Sequence, residues 1–266
     1  LSDGADRVLS ALRGATDALS GAALSTDLGV SRAQVWKHVE ALRSHGYEIA
    51  GEPGGGYRLV STPDRLYAAE IQAGLATRWL GRRIHWLETT DSTNRVADEL
   101  ARDGAAHGTA VVAEGQSAGR GRLGRSFYSP PFANLYTSFV LRPEVSLADA
   151  PTTILAAAVA VAETCASLTD GVEIKWPNDV LLGGRKTCGI LMELAAEGAR
   201  VDYLVLGIGV NLNVDPAGFP EEFRSRATSL CGQLGRPVDR VGFTRALYGT
   251  LESVLDDHAR GGFESI

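Results

Sequence analysis

The chain has 266 residues, 44% of them hydrophobic and 22% charged, with 26 Lys and Arg against 32 Asp and Glu and a net charge of −6. That balance suits one large or two smaller globular domains and excludes a general polyanion binder, so any nucleic-acid contact must come from a local patch. No apolar run approaches the roughly 20 residues of a membrane span. No signal-peptide pattern opens the sequence, and Cys165, Cys188 and Cys231 are scattered, so they read as small core residues of a cytoplasmic protein rather than a disulfide or metal set.

The spacing of Val8, Leu9 and Leu12 predicts a first helix over residues 6–12, and a second short helix over 20–28 is stopped by Gly29. Ser31 is an N-cap for a third, from Arg32 to about His45, because its hydroxyl can accept from the free amides of the next turn. Val35, Val39 and Leu42 share one face of it. Two short apolar runs, 47–50 and 57–60, flank a Gly/Pro turn at 51–56 and predict a hairpin. Three helices and a hairpin make a winged helix-turn-helix over residues 1–62. Ser31, Arg32, Gln34, Lys37 and His38 lie away from the apolar face of the third helix and are the candidate DNA contacts, with the wing at 51–56 near the phosphate backbone. This unit carries six basic residues (Arg7, Arg13, Arg32, Lys37, Arg43, Arg58) against seven acids (Asp3, Asp6, Asp17, Asp27, Glu40, Glu48, Glu52). Only the third helix is locally basic, so one module should bind DNA weakly and a dimer should be needed.

Residues 61–64 form the predicted linker, and residues 66–266 the second domain. Strands are expected at 84–88, 109–114, 134–141, 172–176, 180–182, 189–194 and 201–214, and helices at 93–103, 152–168 and 241–258. Strands outnumber helices and cluster, so the fold class is α+β, a mixed sheet with helices on one side.

Four segments carry chemistry. Gly119-Arg120-Gly121-Arg122-Leu123-Gly124-Arg125 interleaves glycines, which let the backbone approach a ligand, with forked cations suited to phosphate; a flexible basic surface loop is the alternative. In Lys175-Trp176-Pro177-Asn178-Asp179, Pro177 fixes a bend, Trp176 is its expected apolar anchor, and Asn178 and Asp179 project polar groups; a plain tight hairpin reads as well. Asp91-Ser92-Thr93-Asn94 stands before a helix and reads in part as an N-cap. Gly207-Ile208-Gly209-Val210-Asn211-Leu212-Asn213 sets glycines in a β-branched run, which suggests close backbone approach, with the Asn211 amide projecting from the strand.

These segments, with Gln116, Phe127-Tyr128-Ser129-Pro130 and the run from Lys186 to Glu193, stand in the order and spacing of biotin protein ligases, which the chain resembles over nearly its whole length. The winged helix makes it similar to the bifunctional members that are also biotin-operon repressors. The resemblance implies a class II synthetase-like catalytic domain that forms biotinyl-5′-AMP from biotin and ATP with Mg²⁺, then passes biotin to a lysine of a biotin carboxyl carrier protein. It also implies operator DNA as a partner and a homodimer that forms with the adenylate.

The resemblance further implies that Ser92, Thr93, Asn94, Gln116, Gly119, Arg120, Arg122, Lys186 and Gly189 bind biotin. ATP would fall to Arg122, Arg125, Phe127, Asn178, Lys186 and Asn211, and catalysis to Arg120, Lys186 and Asp179. No protein metal site is expected, because Asp179 alone does not make one. The loop 115–127 should be mobile without ligand and ordered with it. Two departures are visible. Family members commonly have Trp where this chain has Phe127. A small SH3-like barrel usually follows the last helix, whereas the sequence ends at Ile266 and both its ends read as trimmed. The alternatives are a lipoate or octanoate ligase and a biotin-sensing DNA-binding regulator with little or no ligase activity.

Overall fold

The computed structural model describes residues 2–52, 55–198 and 200–265. The chain divides into two compact units, residues 1–64 and 65–266.

In the first unit α1 (Asp3–Gly14), α2 (Gly21–Leu28) and α3 (Arg32–Ser44) precede the antiparallel hairpin β1 (Glu48–Glu52) and β2 (Gly56–Ser61). Each helix starts on a serine: Ser2, Ser20 and Ser31 accept from Ala5, Ala23 and Gln34 amides. The first helix therefore begins three residues earlier than the apolar spacing shows, because the cap and not the periodicity sets its start. Gly29 closes α2 at φ 67°, a left-handed turn that a side chain disfavours. Ala5, Val8, Leu9, Leu12, Leu24, Val35, Val39 and Leu42 form the core. Of the wing, Pro53 and Gly54 lie outside the described residues.

The second unit runs α4 (Ala68–Gln72), β3 (Ile84–Thr90), α5 (Thr93–Arg102), β4 (Thr109–Gln116), β5 (Leu135–Leu141), α6 (Thr152–Ala166), β6 (Val172–Lys175), β7 (Asp179–Leu182), β8 (Arg185–Glu197), β9 (Arg200–Val210), α7 (Glu221–Arg224), α8 (Leu230–Leu234) and α9 (Arg240–Gly261). Seven strands form one mixed sheet in the order β3-β4-β5-β9-β8-β7-β6. Only β3 and β4 pair in parallel, joined by the crossover helix α5; the other neighbours are antiparallel.

The helices lie on both faces, not on one as expected. Val111, Val140, Tyr203 and Val205 pack with Ala97 and Ala101 of α5. Ala110, Val112, Phe139, Leu204, Leu206 and Ile208, the alternate residues of the same strands, pack with α6 and α9. Period-2 alternation sends successive side chains to opposite faces, and a strand apolar at every position must be covered twice. The last long strand ends at Val210, short of the expected 214, because Asn211 turns its amide to Thr187 O (2.8 Å) and Asn213 to Ala133 O (2.8 Å). A fully buried ion pair ties α9 to the sheet. Glu114 Oε2 lies 2.9 Å from Arg240 Nη1, and Glu114 Oε1 accepts from Leu66 N at 2.7 Å. No helix among the described residues is long and apolar enough to cross a membrane.

Candidate active site

On the α5 face of the sheet a cleft of about 750 Å³ opens where the strands turn to glycine. Gly189 of β8 and Gly209 of β9 are register partners and form its floor. A Cβ on Gly209 would come to 2.7 Å from the Phe127 ring, and one on Gly189 to 3.0 Å from Lys186 Nζ. The ring and the ammonium group therefore rest directly on backbone, the close approach that glycine in a strand permits. Lys186 Nζ lies 5.9 Å from the Phe127 centroid and 2.7 Å from Asp179 Oδ1. Asp179 reaches it because β7 sets Asp179 opposite Gly189 in register.

One end of the cleft offers neutral hydrogen-bonding groups. Gln116, at the end of β4, accepts through Oε1 from Thr93 N (2.8 Å) and Thr93 Oγ1 (3.1 Å), and donates to Ser129 Oγ (3.1 Å). Ser92 is the N-cap of α5, as the N-cap reading has it, but its side chain makes no capping bond, and the residue lines the cleft. Asn94 is spent internally: Nδ2 donates to Glu193 Oε2 (2.9 Å) and Leu191 O (3.3 Å), and Oδ1 accepts from Ser138 Oγ (2.6 Å). Asp91 stands beside this end. The Arg95 guanidinium, helped by hydrogen bonds from Ser92 N and Thr90, lowers its carboxyl to about 2 against the cost of desolvation.

A cationic loop borders the same cleft. Arg120, Arg122 and Arg125 line the cleft from the loop after β4, which folds back on itself through Gly121 N to Arg125 O (2.7 Å) and Phe127 N to Gly119 O (2.9 Å). Gly119 is required there, since a Cβ would meet Phe127 O and Ser129 Oγ at 2.5 Å. Arg120 Nη1 is 3.1 Å from Glu193 Oε1, and Arg122 Nη1 donates to Asn178 Oδ1 at 3.3 Å.

One expected role is corrected. Trp176 is no apolar anchor but is 78% exposed, on a hairpin held instead by β6–β7 pairing and by Asn178 Nδ2 donating to Ile190 O (2.9 Å). Asn211 lines the cleft, its Nδ2 donating to Thr228 O (3.1 Å) and its Oδ1 accepting from Asn134 Nδ2 (3.3 Å), bonds that fix the amide in the wall. Sequence reasoning missed Arg226, which a parallel bridge between Lys186 and Ala227 brings to the cleft from an unpatterned stretch. It also missed Ser138 and Glu193. Cys165 and Cys188 are buried and Cys231 half-buried, all free thiols; burial pushes the Cys165 thiol up to about 12, which leaves it inert.

In α3 the candidate DNA contacts separate. Arg32 and Lys37 are exposed. Ser31 and Gln34 form a capping box, Gln34 N donating to Ser31 Oγ (3.2 Å) and Ser31 N to Gln34 Oε1 (2.9 Å), while both side chains stay exposed with the serine hydroxyl hydrogen and the Gln34 NH₂ group outside the box. His38 is half-buried, with its ring against Gly4 of α1. Arg43, counted as local basic charge, donates to Ile49 O (2.7 Å) and pairs with Glu40 (2.6 Å). Trp36 is 54% exposed on this helix, a residue that apolar patterning assigns to a core by default.

Neutral hydrogen-bonding groups, three loop arginines and Lys186 thus line one cleft. The chain matches the biotin/lipoate A/B protein ligase family over residues 86–211 and a helix-turn-helix domain over residues 5–58. It is 41% identical to the bifunctional ligase/repressor BirA of Bacillus subtilis over 251 residues, 93% of this chain and 77% of that one. Among solved structures, the biotin protein ligase of Aquifex aeolicus in complex with biotin and ATP is 33% identical, with a TM-score of 0.59 over 68% of this chain and 74% of that chain. The Leishmania major ligase in complex with biotinyl-5-AMP is 29% identical, with a TM-score of 0.53 over 66% and 75%. A winged helix joined to an acyl-ligase catalytic unit is thus the class of protein the fold and site define. The chain belongs to the family of bifunctional biotin protein ligases and repressors.

Proposed function

We propose that this chain activates biotin with ATP and transfers it to a lysine of a biotin carboxyl carrier protein, and that its winged helix represses transcription at an operator. The carrying observation is Lys186, paired with Asp179 on the glycine floor of the cleft that the neutral groups and the loop arginines also line. The neutral end takes the ureido group of biotin, so the carboxylate points at Lys186. A carboxylate oxygen attacks the α-phosphorus of ATP, the bond to pyrophosphate breaks, and biotinyl-5′-AMP forms. The acceptor lysine, as free amine, then attacks the acyl carbon; AMP leaves and the amine gives up its proton. No covalent enzyme intermediate is required.

The work of the protein is to hold two anions together and to stabilise charge gathering on phosphate. Lys186, Arg120, Arg122 and Arg125 supply the cations, and Phe127 supplies the face against which the adenine packs. Magnesium arrives with the nucleotide. Asp179, paired with Lys186, and Glu222 are the acidic side chains among the cleft's lining residues. DNA contact falls to Ser31, Arg32, Gln34, Lys37 and the half-buried His38, with Trp36 exposed on the same helix, and a second copy of the unit is needed for affinity.

Biotin-dependent exchange of pyrophosphate into ATP tests the first step, and label transfer from biotin to a carrier domain tests the second. Exchange without transfer would leave a biotin-sensing regulator. Binding to the promoter of the biotin operon only when biotin and ATP are both present, at fixed salt, tests the repressor.

A further inference from the structure

The arginine loop is tied at both ends to one chain of hydrogen bonds beneath the cleft. From Phe127, the carbonyl accepts from Ser129 Oγ (2.9 Å), Ser129 accepts from Gln116 Nε2, and Gln116 Oε1 accepts from Thr93 N (2.8 Å). Ser138 Oγ lies 2.8 Å from Thr93 Oγ1 and 2.6 Å from Asn94 Oδ1. Asn94 Nδ2 donates to Glu193 Oε2, and Glu193 Oε1 takes Arg120. Asn94 is held by three hydrogen bonds, to Leu191 O, Glu193 Oε2 and Ser138 Oγ, and lies directly on Gly207, where a Cβ would come to 2.0 Å from its Oδ1. Glu193 is the member of this chain that reaches Arg120, at 3.1 Å.

From this geometry, and resting on the ligase reading above, we infer that Glu193 is a positioning residue for Arg120. One carboxylate oxygen is fixed by Asn94 and the other fixes the guanidinium at the rim of the biotin end. The loop carries Gly119, Gly121 and Gly124, so holding it in one place has a high entropic cost. An anchor at Arg120 lowers the part of that cost left to be met when biotin binds. The same groups, Thr93 and Gln116, face the ligand and belong to the chain, so biotin and the loop anchor meet in one network.

Glu193→Gln is the discriminating variant. Its amide oxygen still accepts from Asn94, while its NH₂ end cannot accept from Arg120. Trypsin cleavage after Arg122 or Arg125, followed by mass spectrometry in the ligand-free protein, should be faster by about two- to fivefold, the scale of a half-exposed ion pair. The KM for biotin in pyrophosphate exchange should rise by a similar factor, with kcat changed less. Both effects should disappear when Glu193→Gln is placed on an Arg120→Ala background. Unchanged cleavage, faster cleavage with an unchanged KM, or a full effect that persists without Arg120 would each overturn the assignment. Wild-type exchange is the control. If it is absent, the ligase reading fails and the inference fails with it; if it is present, a negative result falls on Glu193 alone.

Discussion

The two faces of β9 are built from one strand and do opposite work. Toward α6 and α9 the strand presents Leu204, Leu206, Ile208 and Val210, all buried in the main core. Toward α5 it presents Tyr203 and Val205, then Gly207 and Gly209. Bulk continues along the first face and stops half-way along the second. Where it stops, Asn94 and Phe127 come down onto the backbone, and the cleft begins. Removing side chains from one face of a buried strand makes a site without opening the core, because the opposite face still carries the packing.

That contrast can be tested by substitutions that separate stability from catalysis. Leu206→Ala should show the largest effect, a loss of about 2–5 kcal/mol of stability from a fully buried position, with the KM for biotin unchanged. Denaturant unfolding beside exchange kinetics checks both halves. Lys186→Ala should do the reverse. Loss of a cation at the reacting phosphate should slow adenylation at least about 10²-fold, with the melting temperature unmoved; wild-type exchange would end its assignment.

Gly207→Ala joins the two faces. Its methyl group must displace Asn94, so a cost of about 1–3 kcal/mol is expected together with a raised KM for biotin, in the manner of an overpacked core. If biotin affinity survives, the Asn94 network does not order that end of the cleft. The smallest effect belongs to His258, buried on the α6–α9 side with Nε2 2.7 Å from Thr152 Oγ1. Burial lowers its folded pKa, with Asp149 opposing. The unfolded chain therefore binds the proton more readily, and stability should fall as pH drops through the ordinary histidine range near about 6.5. His258→Gln should flatten that part of the stability–pH curve, and an unaltered slope would refute the assignment.

How much was legible differs between particular residues. Ser31 was read as a cap from its place before an apolar helix and is one, since capping is a local contest among neighbouring amides. Gln34, three residues on, was read as a base contact, and the structure adds a second role that the sequence reading did not include, its Oε1 closing the same capping box. Lys186, Asp179 and the loop arginines were legible as a set because their residue types suit phosphate and their order matches a family. Arg226 was not, because it stands in a segment without periodicity that reaches Lys186 only by a bridge across the fold. Trp176 was misread because an aromatic residue beside proline suggests an anchor, yet no neighbouring element covers it.

By itself the sequence determined the local elements and the chemical inventory: serine caps, the apolar stripe of α3, alternating strands, a glycine–arginine loop, and a lysine with an aspartate seven residues before it. These follow from interactions that span a few residues, where period and residue type suffice. Only the tertiary structure decided that helices cover both faces of the sheet, that Gly189 and Gly209 meet as one floor, and that Asn94 links Ser138 to Glu193. Each of these depends on strand register and on packing between segments far apart in the chain. The hydrophobic effect that drives such packing is non-directional, so residue pattern marks what will be buried without naming its partner.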